Sequence, residues 1–92
     1  MGSYSIVFNE SANRELNAID RQFVPRIVAA IEAFAEDPFP SGYRKLQGRE
    51  VHELYRIRVG RYRVIYSLDP LEQLVTIYRV RVKKGKKTYK NI

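Results

Sequence analysis

The chain has 92 residues, no cysteine, one histidine and a net charge of +7. That length predicts one domain, 1-92, with a two-layer core of helix on sheet, and the composition excludes disulfides, thiolate metal sites and a cysteine nucleophile. Residues 1–50 carry a net of -1 and residues 51–92 a net of +8, an asymmetry that points to a polyanionic partner, nucleic acid or an acidic protein, with a merely solubilising surface as the plainer alternative.

In chain order, YSIVF at residues 4–8 reads as a short strand, rich in β-branched and aromatic residues. Asn9 or Ser11 is placed to cap a helix through about Ile19, with Leu16 and Ile19 on its apolar side. After a turn near Asp20, Phe23, Ile27, Ile31 and Phe34 recur at helical spacing and stop before Asp37-Pro38. Pro25 fits if the regular helix begins at about Val24. DPFPSGYRKLQGRE reads as a turn-rich connection.

Three strands are predicted next, over 51–59, 61–68 and 74–82, forming an antiparallel meander around Gly60 and DPLEQ. The final KKGKKTYKNI reads as a basic loop and tail, with room for a brief edge strand at Tyr89. No segment approaches 18 apolar residues, and no basic start precedes an apolar run. A soluble, cytoplasmic protein with no membrane contact is therefore expected.

Alternation across a strand puts Tyr55, Ile57 and Val59 on one face and Arg56 and Arg58 on the other. Arg61 and Arg63 are in phase with each other. So are Arg79, Arg81 and Lys83, opposite Tyr78, Val80 and Val82. Tyr55 and Tyr78 are expected in the core, and Tyr89 exposed. One face would then take the helices and the other a guanidinium array, whose planar donors suit phosphate. Arg61, Arg79, Arg81, Lys84, Lys86 and Lys87 are candidates to hold a nucleic-acid backbone. An ordinary sheet with one solvated face would show the same alternation, but not the scarcity of acidic residues on that face. Glu50 and Glu53 read as salt-bridged or solvated, and His52 as structural. No cofactor or metal is called for.

Taken together, YSIVF, IEAFAEDP, KLQG, YRIRVGRYRVIY, LVTIYRV and a basic C-terminal loop ending in Tyr89 resemble a RelE/ParE-type toxin of a bacterial type II toxin–antitoxin system. The resemblance implies an α+β fold, an N-terminal helical hairpin on a twisted, mainly antiparallel sheet of four or five strands. In the RelE-like branch it also implies ribosome-dependent cleavage of mRNA in the A site by 2′-hydroxyl attack. Position by position, it assigns catalytic roles to Arg56, Arg58, Arg63, Lys83 and Tyr89, with Arg63 on the scissile phosphate. Many relatives read Val-Gly-His-Arg or Val-Gly-Lys-Arg where this chain reads Val80-Arg81-Val82-Lys83, so a candidate histidine acid/base is absent. The implied partners are a cognate antitoxin, RelB-like or other, the ribosome and its mRNA, with operator DNA reached only through the antitoxin. A ParE-like gyrase inhibitor of the same fold and a non-catalytic basic nucleic-acid-binding module are the alternatives.

Overall fold

The computed structural model describes residues 3–46 and 53–82. Glu50, His52, Lys83, Lys84, Lys86, Lys87 and Tyr89 lie outside the described residues, as does the edge strand expected at Tyr89. Two helices lie with a five-stranded mixed sheet of order β1-β5-β4-β3-β2. The strands are β1 (Ser5–Phe8), β2 (Arg44–Leu46), β3 (Leu54–Val59), β4 (Tyr62–Asp69) and β5 (Leu74–Val82). The neighbours β2 to β5 pair antiparallel, whereas β1 runs parallel to β5.

Helix α1 (Glu10–Asn17) starts where the Asn9 side chain accepts the Ala12 N–H at 2.9 Å. Such a cap contributes about 1 kcal/mol. Arg21–Phe23 forms a 3-10 turn that leads into α2 (Val24–Glu32). Pro25 falls in the first turn of α2, where its missing N–H costs no intrahelical bond. Ile27 and Ile31 of α2 and Phe34 just beyond it are buried with Tyr62, Val64 and Tyr66 of β4 and Val75, Ile77 and Val80 of β5. The Tyr66 ring stacks on Phe34 at 4.2 Å between centroids, and its hydroxyl donates to the Pro38 carbonyl at 2.6 Å. Burial pushes the Tyr66 hydroxyl pKa well above the usual phenol value, so it remains a donor.

Three expectations change. The stretch expected to be only a connection contains β2, because Arg44, Lys45 and Leu46 pair with Arg56, Tyr55 and Leu54. Three residues are too few for alternation to show a strand, and only the partner β3 reveals it. Tyr78 leaves the core. Ile65 pairs with Arg79 but Tyr66 pairs with Ile77, so Tyr78 is the extra residue of a β-bulge. The bulge reverses the alternation along β5: Val75 and Ile77 are buried before it, and Val80 after it. Arg61 leaves the strand. It occupies a two-residue hairpin turn with Gly60, whose φ of 61° suits the glycine of such turns.

Candidate nucleic-acid interface

Cross-strand register builds the site on the sheet face opposite α2. Arg44 stands across from Arg56, then Ile65 and Arg79 complete that row. Arg58, Arg63 and Arg81 form the next row, nearer the hairpin. Directly opposed residues have Cβ atoms about 5 Å apart, and like charges so placed destabilise a sheet. This sheet sets arginine directly against arginine at Arg44–Arg56, Arg58–Arg63 and Arg63–Arg81. A fold optimised for stability alone would not repeat that arrangement; an anion bound between the guanidinium groups removes the repulsion.

The pKa of Arg56 registers this field. It is lowered by partial desolvation and then by the guanidinium groups of Arg63, Arg58 and Arg44. Arginine nevertheless stays charged near neutral pH, since its ordinary pKa exceeds about 12. Among the described residues no carboxylate lies within ion-pair distance of Arg44, Arg56, Arg58 or Arg63. The Arg63 Nε is buried and has no hydrogen-bond partner among the described residues. A buried, unpaired donor on a charged group costs about 1–3 kcal/mol, and a ligand oxygen would satisfy it.

The other candidates divide. Arg79 and Arg81 belong to the same face, but Glu15 of α1 reaches the outer edge of β5 beside them. Its carboxylate accepts from Arg79 at 2.9 Å and from the Val80 backbone N–H at 2.8 Å, and lies 3.6 Å from Arg81 Nε. Acidic side chains are thus not kept off this margin, contrary to expectation, because α1 delivers one from outside the sheet. Arg61 turns towards the helices, its guanidinium 5.2 Å from the centre of the Phe23 ring. Its expected phase with Arg63 is lost. Glu53 is salt-bridged to Lys45 at 3.0 Å and accepts the Tyr55 hydroxyl at 2.9 Å. Lys45 and Tyr55 hold its carboxyl below the usual carboxylate range.

Glu15 makes a stability prediction. It satisfies the Val80 N–H of β5 and an arginine at once, and hydrogen bonds to charged groups contribute about 1.5–3 kcal/mol. Glu15→Ala is expected to lower unfolding stability by that amount in urea, with α1 detached from β5. A change below a few tenths of a kcal/mol would mean that water replaces the carboxylate.

Arg44 and Glu15 were not singled out by sequence reasoning. Arg44 carried a faint signal, a basic residue two positions before a leucine just past a glycine turn; Glu15 carried none, since its partners are more than sixty positions away.

The description "ParE toxin of type II toxin-antitoxin system, parDE" matches residues 6–86. The chain belongs to the RelE/ParE superfamily of type II toxins. A sequence comparison with curated proteins returned no match. Among solved structures, this RelE/ParE chain is 30% identical to one in the RelBE2 toxin–antitoxin complex from Mycobacterium tuberculosis, covering 88% of this chain and 99% of that one at a TM-score of 0.64. The archaeal RelE-RelB complex from Pyrococcus horikoshii aligns at 24% identity and a TM-score of 0.75, over 87% of this chain and 94% of that one. The intact RelBE complex from E. coli aligns at 19% identity and a TM-score of 0.71, over 90% and 100%. At those two lower identities the likeness concerns the fold. The RelE/ParE toxin described here shares that fold's two helices and mixed sheet.

Proposed function

We infer that this toxin is an mRNA endoribonuclease acting in the ribosomal A site, with the Arg56–Arg58–Arg63 cluster as its phosphate-binding centre. The observation that carries the reading is Arg63. It stands between Arg58 and Arg81 with a buried Nε lacking any partner and no carboxylate beside it among the described residues.

In this chemistry the ribose 2′-oxygen forms a bond to the adjacent phosphorus, and the 5′-oxygen of the next nucleotide leaves. The products are a 2′,3′-cyclic phosphate and a 5′-hydroxyl. The 2′-hydroxyl gives up a proton and the departing oxygen gains one. Negative charge accumulates on the non-bridging oxygens at the transition state, where Arg63 with Arg56 and Arg58 stabilises it more than in the ground state. Fixed guanidinium groups on adjacent strands need no reorganisation as that charge develops. Lysines and Tyr89 of the C-terminal segment are the proposed proton carriers, and bending of the message by the ribosome supplies in-line geometry. An antitoxin is the proposed regulator, in line with the toxin–antitoxin complexes among the solved relatives. An acidic antitoxin segment over the arginine rows would cover the cluster. The cytoplasm is the compartment that this activity requires.

The match to the ParE description favours a second reading, inhibition of DNA gyrase by the same fold; fold alone does not separate the two. Primer-extension mapping of a defined message translated in vitro distinguishes them. Cuts at A-site codons that vanish with Arg63→Ala support the nuclease. An intact message, with gyrase supercoiling blocked instead, supports the inhibitor.

A further inference from the structure

Beside the cluster, at the sheet edge, lies a concave site of about 290 Å³ lined by Ser41, Gly42, Arg44, Arg56, Ile57 and Arg58. It stands near the lower limit of ordinary ligand pockets, about 300 Å³, with room for a phosphate and its sugar. Its outer wall is preformed. The Tyr43 N–H bonds to the Pro40 carbonyl at 3.1 Å, closing a turn whose third residue, Gly42, has φ 91°. That is the position where a type II turn requires positive φ, and among the described residues no heavy atom beyond its chain neighbours stands within 4 Å of where a Gly42 Cβ would project. The turn therefore sets Ser41 and Gly42 against the β3 edge just where β2 begins.

Arg63 does not line this pocket. Arg44 lies two strand spacings from β4, about 10 Å, on the far side of Arg56. A phosphate held by Arg63 thus leaves the Arg44 pocket for a different anion, while Arg56 and Arg58 border both positions. Among the described residues no carboxylate pairs with Arg44, and its charge is one of those that depress Arg56.

We propose that this pocket is a second phosphate subsite, in which Arg44, with Arg56 and Arg58, holds an RNA phosphate neighbouring the one on Arg63. The strand then crosses the sheet from β4 towards β2, and Arg44 sets its direction over the cluster. Arg44 is a positioning residue: it acts on the flanking phosphate and leaves the reacting one to Arg63. The subsite rests on the RNA reading of the arginine face.

The test uses the whole chain and a short single-stranded RNA, 2′-O-methylated throughout so that no 2′-hydroxyl can attack. Affinity is measured against salt for wild type, Arg44→Ala, Arg44→Lys, Arg63→Ala and Lys45→Ala. Each phosphate neutralised on a single strand adds about 0.7 to the slope of log affinity against log salt. Arg44→Ala is expected to lower the slope by about 0.7 and affinity about tenfold at low salt. Arg44→Lys restores the slope but not all of the affinity, because the charge returns without the guanidinium fork. Lys45→Ala, paired with Glu53 on the other side of β2, leaves the slope unchanged. A neutral methylphosphonate moved along the RNA should locate one linkage whose loss weakens wild type and has no effect in Arg44→Ala.

If Arg63→Ala lowers the slope while Arg44→Ala does not, the second subsite is wrong and the RNA reading stands. Equal losses from Lys45→Ala and Arg44→Ala indicate diffuse charge and also overturn the subsite. No salt-dependent binding by wild type, or binding only to an acidic polyglutamate peptide, overturns both.

Discussion

Replacing Arg63 with alanine is expected to reduce message cleavage by about 100- to 1,000-fold, the range for losing one preorganised group that stabilises transition-state charge. Folding should not suffer. Arg63 sits directly opposite Arg58 on one side and Arg81 on the other, so its removal relieves two like-charge contacts. Pairs of this kind shift stability by roughly 0.2–1 kcal/mol each. The alanine also eliminates the buried Nε that lacks a partner among the described residues. The urea midpoint should therefore hold steady or rise while cleavage collapses. That opposition of signs separates a functional role from a structural one, because a structural arginine would lose both together. Arg63→Lys should recover only part of the activity, since a single ammonium cannot engage two phosphate oxygens in fixed geometry. Cleavage at wild-type rates in Arg63→Ala would remove the residue from the mechanism.

The largest effect on stability is expected from Phe34→Ala. Phe34 is fully buried just past α2, with its ring stacked on Tyr66 in the central strand of the sheet. Truncating a core phenylalanine costs about 3–5 kcal/mol, through lost transfer energy and the cavity left behind. For a small domain that is a large part of a total near 5–15 kcal/mol. With a denaturant slope of about 1–3 kcal/mol per molar urea, the midpoint should fall by roughly 2 M. The loss also loosens the Tyr66 ring, whose hydroxyl fastens the Pro38 carbonyl. A measured loss under 1 kcal/mol would show that neighbouring side chains collapse into the space. Activity should fall in proportion to unfolding and recover where the variant is folded, unlike Arg63→Ala.

What the sequence by itself determined rests on short-range periodicity. Phe23, Ile27, Ile31 and Phe34 recur at the helical interval, and the interval alone specifies which side of α2 is buried. Asn9 caps α1 with a local bond, and Pro25 marks where α2 begins. Arg56 and Arg58 were legible as sharing one face by alternation, but Arg63 joins them only because the turn takes two residues, Gly60 and Arg61, which sets Arg63 opposite Arg58. The tertiary structure decided whatever depends on a partner strand or a distant helix. Arg44 joins the cluster through pairing of β2 with β3, a register that three residues cannot encode alone. Tyr78 left the core because a bulge against β4 shifts the phase of β5 midway, and strict alternation along one strand cannot register an inserted residue. Glu15 reached Arg79 and the Val80 N–H only through docking of α1 on the β5 edge. Side-chain alternation and helical pitch are local properties of the backbone; register, bulges and ion pairs between remote elements are fixed by the simultaneous packing of the whole sheet.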